Sequence, residues 1–205
     1  MDSFPILSLI TFSPLLGILV LLFVPNSSGR MVKTIGIAAA FLPLLLAGWL
    51  YAQYDQSAGG EQFDERFGWI DLSLNRDGIF GDYSALNIRF DYAMGVDGMS
   101  LALVFLTALV GAMAALASVY IKKRWKLYFI LFLLLEIGMF GVFMARDLFL
   151  FFLFFEITLI PTFVLVVIWG YMDREKAANK FLLYNGLGSA VMLIAFLIII
   201  VTAGV

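Results

Sequence analysis

Two glutamates lie where the sequence is otherwise apolar, and they are the residues best placed to do chemistry. Glu136 and Glu156 each interrupt a long hydrophobic run, where a charged side chain costs roughly 2.5–3.5 kcal/mol on membrane-insertion scales. A carboxyl group held there can take up and release protons. The alternative is a neutral glutamate that is hydrogen-bonded to a neighbouring helix. Because the chain has no His and no Cys, imidazole chemistry and thiolate metal sites are excluded.

The runs that contain these glutamates predict a membrane protein. Of the 205 residues, 63% are hydrophobic and only 14% are charged, whereas soluble domains have about 25% charged residues. A net charge of −2 argues against a nucleic-acid partner. Six apolar runs are long enough to span a bilayer, which takes about 20 residues each. We therefore predict an all-α membrane protein with helices over Ile6–Val24, Thr34–Ala52, Ser100–Ile121, Leu127–Met144, Leu148–Tyr171 and Phe181–Ala203.

The spacing predicts that both glutamates lie at a similar depth. Glu136 is nine residues beyond Leu127 and Glu156 is nine residues beyond Asp147, on helices that enter from opposite sides. At about 1.5 Å per residue, each would lie ~13 Å into a hydrocarbon core of ~30 Å. Pro161 should disturb the helix next to Glu156, because proline removes a backbone donor and crowds the preceding turn.

The chain is predicted to have three parts. Residues 1–52 form two helices, residues 53–99 form an outer loop, and residues 100–205 form four helices with the two glutamates. The loop is interpreted as a solvated cap with a small hairpin, because residues 86–90 alternate like a strand and Asn75-Arg76-Asp77-Gly78 is a turn signal. Alternate loops on one side contain nine of the thirteen basic residues. We therefore expect a multi-pass protein of the cell inner or plasma membrane with both termini outside.

Several segments resemble the antiporter-like proton-pumping subunits, in particular chain M (chain 4) of the proton-translocating NADH:quinone oxidoreductase, respiratory complex I. The resemblance extends over nearly the whole chain and is strong from Phe90 onward. It rests on four segments, Phe90–Leu101, Glu136–Phe143, Asp147–Phe152 and Phe154–Pro161, with Ile168-Trp169-Gly170 after them.

The resemblance implies an enzyme subunit that binds no cofactor or metal itself. NADH, FMN, Fe–S clusters and quinone would belong to partner subunits, and the partners would be other membrane subunits of complex I and the lipid bilayer. It also implies that Glu156 is the essential carboxylate for pumping and that Glu136 is an auxiliary one. In the family, the glutamate that corresponds to Glu156 has a partner, which is a lysine on a later helix.

The sequence departs from the family in its lysines and its length. No lysine occurs between Lys126 and Lys176, and the sequence given ends at Val205. We therefore expect the N-terminal portion of an antiporter-like subunit, from a truncated gene, a split gene or a partial sequence. Two alternatives to a pumping complex I subunit stay open. One is a subunit of a multi-subunit Na+/H+ antiporter, and the other is a truncated, non-pumping membrane scaffold.

Overall fold

The computed structural model describes residues 5–25, 28–55, 60–74 and 86–203, and these contain six long helices and one pair of strands. Each helix is long and apolar enough to cross a membrane. The predicted fold class, a six-helix membrane protein with a small hairpin, is therefore confirmed. The elements are α1 (Ile6–Phe23), α2 (Gly29–Gln53), β1 (Gln62–Leu74), β2 (Leu86–Val96), α3 (Gly98–Ala117), α4 (Trp125–Met144), α5 (Leu148–Trp169) and α6 (Arg174–Ala203).

Some helix boundaries differ from the predicted ones. Helix α2 begins at Gly29 instead of Thr34, and α6 begins at Arg174 instead of Phe181. The α-helical part of α3 ends at Ala117, before the predicted end at Ile121. A short 3-10 turn, Ser118–Tyr120, follows it. The early starts of α2 and α6 have a physical reason. An apolar run covers only the part of a helix inside the hydrocarbon layer, whereas the helical hydrogen bonds continue through the basic residues at the membrane surface.

Helix α4 lies at the centre of the bundle. It packs against α1, α2, α3 and α5, while α6 packs against α5. Small residues allow the close approach of the helices: Gly36 of α2 lies directly against the ring of Phe129, and Gly17 of α1 lies close to Leu133. The face of α4 that meets α1–α3 is therefore fully enclosed.

The two strands form an antiparallel pair between α2 and α3, in register from Gln62 opposite Val96 to Leu74 opposite Leu86. The register shifts between Gln62 and Glu65, where Phe63 has a positive φ of 58°. Such an irregularity redirects side chains locally. The predicted turn at residues 75–78 lies outside the described residues.

The helix ends on the side opposite the strands are tied together by lysines. Lys126 Nζ donates a hydrogen bond to Val24 O at 2.9 Å, and Lys33 Nζ donates one to Val119 O at 2.6 Å. Both acceptors are carbonyls close to the C-terminal ends of helices, where a cation is favourable. The ends of α1 and α3 and the beginnings of α2 and α4 therefore share one side.

Candidate functional site

Glu136 occupies a core position of α4. Phe129, Leu133, Glu136 and Phe140 follow one another at helical spacing, and all four are completely buried. Neither carboxyl oxygen of Glu136 has a hydrogen-bond partner among the described residues. Buried polar atoms are nearly always hydrogen-bonded, so an unpartnered one calls for a functional explanation.

The Glu136 carboxyl group lies against α3 at Gly111. A Cβ atom added to Gly111 would be 2.6 Å from Glu136 Oε1. The buried face of α3 around this position consists of small side chains, including Ala108, Ala112 and Ala115. The carboxyl group is therefore enclosed between two helices, in apolar surroundings.

Glu156 lies in a more open position on α5. Its side chain is half-buried, and its Oε1 atom is buried without a hydrogen-bond partner in the described part of the chain. The residue lines a surface groove of about 320 Å³ whose other walls are apolar, formed by Phe149, Phe152, Leu153, Ile157 and Ile160. Helix α5 continues without interruption through Pro161.

The packing of α4 on α5 brings the two glutamates to similar levels. A Cβ atom added to Gly138 would be 3.2 Å from Phe154 O and 3.3 Å from Thr158 N, which bracket Glu156. Glu136 is two residues from Gly138, or about 3 Å along the helix axis.

The two carboxyl groups nevertheless point in different directions. Residues two apart on a helix are about 200° apart around its axis. Because Gly138 and Phe154 face each other, Glu136 points away from α5 and Glu156 points away from α4. A direct hydrogen bond between them across this interface is excluded.

A third glutamate, Glu65, lies in the loop that the sequence predicts to be a solvated cap, yet its side chain is buried. Glu65 of β1 is only 4% exposed, because its carboxylate caps the beginning of α1. It accepts hydrogen bonds from Leu7 N at 2.7 Å and Ser8 N at 3.1 Å, and also from the Ser8 hydroxyl group. The sequence contains only a weak indication of this contact. Helix α1 begins after Pro5, which has no side chain that could cap the helix, so its first amides need an acceptor from elsewhere.

The Glu65 contact continues into the second strand. The hydroxyl groups of Ser8 and Tyr92 lie 2.7 Å apart. Burial is the main cause that raises the pKa of Tyr92; the Ser8 hydrogen bond lowers it and the nearby Glu65 charge adds to the rise. The strand pair is therefore joined to α1 by a chain of polar groups.

Arg146 joins the same strands to the connection between the two glutamate helices. Its backbone N donates to Ala93 O at 2.8 Å, its Nε donates to Gly95 O at 3.3 Å, and its guanidinium forms an ion pair with Glu61 at 3.1 Å. The next residue, Asp147, caps α5 by accepting hydrogen bonds from the first backbone amides of that helix. The strand pair, the end of α4 and the beginning of α5 therefore form one hydrogen-bonded unit.

Within the described ranges, His, Cys, Asp and Glu side chains do not form a group of three or more that could hold a metal ion. The two membrane glutamates instead share another feature: each has at least one buried carboxyl oxygen without a hydrogen-bond partner in the described part of the chain.

Comparison with known proteins confirms the resemblance predicted from the motifs. A family model described as "NADH:quinone oxidoreductase/Mrp antiporter, TM" matches residues 145–205. The chain is 38% identical over 203 residues to NADH-quinone oxidoreductase subunit M of Rhodobacter capsulatus, covering 97% of this chain and 36% of that subunit. It thus spans little more than a third of the length of the curated relatives it matches.

Two solved structures share this arrangement of helices. A chain of respiratory complex I from Thermus thermophilus with bound NADH matches with a TM-score of 0.68 and 28% identity, covering 93% of this chain and 35% of that one. A chain of the membrane-bound sulfane sulfur reductase, an archaeal respiratory membrane complex, matches with a TM-score of 0.73 and 26% identity, covering 98% and 28%. The helices belong to an architecture found in large membrane complexes.

Proposed function

We propose that this chain works as part of a proton-translocating membrane subunit of an NADH-quinone oxidoreductase, with Glu156 as its central protonatable group and Glu136 as an auxiliary one. The observation that carries the proposal is the pair of carboxyl groups at matching levels of two apolar helices, with oxygens that lack hydrogen-bond partners among the described residues. The similarity to subunit M over 97% of the chain supports it.

The difference in exposure suggests a division of work. Glu156 borders an open groove, so it can exchange protons with groups or water that enter there. Glu136 is enclosed and points away from it, so its effect on Glu156 is electrostatic. Unit charges about 10–15 Å apart interact by about 1–2 kcal/mol at an effective dielectric constant of about 20. That energy corresponds to roughly a ten-fold change in proton affinity, which suits a tuning role.

Electron transfer would take place outside this chain. NADH, FMN, the Fe–S clusters and the quinone would be bound by partner subunits, and this chain would contact other membrane subunits of complex I. A conformational or electrostatic change in those partners would alter the surroundings of Glu156. The present chain would contribute the protonatable groups and the rigid helices that hold them.

We place both termini and the strand pair outside, in the inner or plasma membrane. Nine of the thirteen basic residues lie in the segments that face the opposite side, and Lys and Arg prefer cytoplasmic loops. The chain has no cysteine, so single cysteines give a clean test. A membrane-impermeant thiol reagent added outside should label Glu61→Cys and leave Lys176→Cys unlabelled, and the reverse pattern would refute the orientation.

The function is tested by Glu156→Gln in membranes of the host organism, with the exposed Glu175→Gln as the matched control. NADH-driven proton uptake into inverted vesicles should be lost in the first variant and unchanged in the second. The assembled complex should remain present in both. An unchanged proton-to-electron ratio in Glu156→Gln would refute the role of this residue.

A second candidate is a subunit of a multi-subunit cation/proton antiporter, because the matching family model describes both kinds of protein. The match to a chain of the membrane-bound sulfane sulfur reductase also supports the view that this helix arrangement occurs in more than one kind of membrane complex. Purification of the tagged chain with its partners separates the two. Co-purifying subunits that reduce quinone with NADH support the first function, and Na+-dependent proton exchange without such subunits supports the second.

A further inference from the structure

Gly111 on α3 differs from several other helix glycines in what lies next to it. The space that a side chain at position 111 would fill is occupied by the Glu136 carboxyl group of α4. At Gly36 and Gly141 an added Cβ atom would meet an aromatic ring, and at Gly48 and Gly186 it would meet nothing within 4 Å. At Gly111 it would meet Glu136, at 2.6 Å from Oε1 and 3.3 Å from Cδ. The Glu136 carboxyl group therefore uses the space that Gly111 leaves.

The atom that would be displaced is the far end of a flexible side chain. The bulky ring that faces Gly36 or Gly141 is rigid beyond its Cβ atom, whereas the Glu136 side chain has an additional flexible torsion and can move its carboxyl group while α3 and α4 stay in place. Alanine also favours a helix by about 1 kcal/mol over glycine. A methyl group at position 111 should therefore leave the bundle folded and move the carboxyl group.

We propose that Gly111 is a positioning residue for Glu136: it holds the carboxyl group against α3, in the orientation from which Glu136 tunes Glu156. The predicted effect on pumping rests on the proposed function, whereas the predicted position of the Glu136 carboxyl group does not. Glu136 is completely buried and both its oxygens lack hydrogen-bond partners among the described residues. The close approach to Gly111 is the contact by which α3 would restrain the carboxyl group.

The first test reads the carboxyl group directly. The infrared carbonyl band of protonated Glu136, assigned by its loss in Glu136→Gln, reports on the surroundings of that group in the purified, lipid-embedded protein. Gly111→Ala should shift this band, and the control Gly48→Ala should leave it unchanged. An unshifted band in a folded Gly111→Ala protein overturns the proposal, whatever the outcome of Glu156→Gln.

The second test asks whether the effect acts through Glu136. Gly111→Ala should lower the proton-to-electron ratio toward that of Glu136→Gln. Shortening the acid by one methylene should relieve the contact, so Gly111→Ala combined with Glu136→Asp should pump better than Gly111→Ala alone. Gly141→Ala, which crowds the Phe154 ring, should gain nothing from Glu136→Asp.

Assembly provides the readout if Gly111→Ala does not accumulate in the membrane. In that case the amount of assembled complex should recover in the double variant with Glu136→Asp and stay low in Gly141→Ala with Glu136→Asp. Recovery in neither pair, or equal recovery in both, would show that position 111 matters only for general helix packing and would overturn the proposal.

Discussion

Two glutamates of this chain are almost equally buried, yet their surroundings are opposite. Glu65 is 4% exposed and Glu136 is 0% exposed. Glu65 accepts hydrogen bonds from two backbone amides and a hydroxyl group at the beginning of α1, whereas Glu136 has no hydrogen-bond partner among the described residues. Burial alone therefore does not identify a functional carboxylate in this molecule.

The difference lies in what each carboxylate contributes. The donors around Glu65 are amides that a helix leaves unsatisfied at its N-terminus, so the Glu65 carboxylate stabilises the fold by accepting their hydrogen bonds. Glu136 lies on a face of α4 whose other buried side chains are apolar, so we expect its unpartnered carboxyl group to destabilise the bundle. A residue kept at a cost to stability is a candidate for function.

The largest expected effect is the loss of the Glu65 cap. Glu65→Ala should lower the free energy of unfolding by about 3 kcal/mol, because it leaves buried donors without an acceptor. Unfolding in detergent, followed by circular dichroism, measures this change, and amide exchange at Leu7 and Ser8 should accelerate. The exposed neighbour Asp64 is the control, and Asp64→Ala should change stability by no more than about 0.5 kcal/mol. Equal effects of the two variants would contradict the capping role.

Glu136 should respond in the opposite direction. Glu136→Met keeps an unbranched side chain of similar length and removes the unpartnered carboxyl group, so it should raise the free energy of unfolding by about 1–2 kcal/mol. The control Leu133→Met changes the same face of α4 without removing a polar group and should cost less than about 1.5 kcal/mol. If Glu136→Met were less stable than Leu133→Met, Glu136 would have to make a stabilising interaction, and the contrast with Glu65 would disappear.

The sequence alone was sufficient for the number of helices and for the two membrane glutamates. Run length predicts a membrane span because the bilayer has a fixed thickness, and a carboxylate inside such a run is visible without a structure. The matching levels of Glu136 and Glu156 also followed from counting residues along helices of constant rise.

The directions of the side chains could not be predicted in the same way. Which face of α4 meets α5 depends on Gly138 and Gly141, and which face meets α3 depends on Gly111. Glycines of both kinds are present in the sequence, which does not say which helix each one faces. The Glu65 contact was missed for a related reason: it joins residues 57 and 58 positions apart, and neither β1 nor α1 carries a local pattern that requires it.

The smallest expected effect concerns Asp97, a carboxylate that has partners but is only half-buried. Its Oδ1 accepts hydrogen bonds from Ser100 N and Ser100 Oγ, both at 2.7 Å, at the beginning of α3. These two hydrogen bonds hold the pKa of Asp97 below its ordinary value of 3.8, and the bond from the Ser100 backbone has the larger effect. Asp97→Ala should therefore lower the free energy of unfolding at neutral pH by about 1 kcal/mol.

The pH dependence follows from the direction of that shift. The folded protein binds the Asp97 proton less tightly than the unfolded chain, so the contribution of the cap is complete well above pH 3.8 and is lost as the pH falls through the lowered pKa. The stability difference between the natural chain and Asp97→Ala should shrink in that range. Asp97→Asn keeps a capping oxygen but cannot titrate, so its difference from Asp97→Ala should not depend on Asp97 protonation. If the stability differences of the natural chain and of Asp97→Asn from Asp97→Ala both stayed constant down to pH 2, the charge of Asp97 would contribute nothing to stability. The contrast between carboxylates with and without partners would then hold only for the buried Glu65 and Glu136.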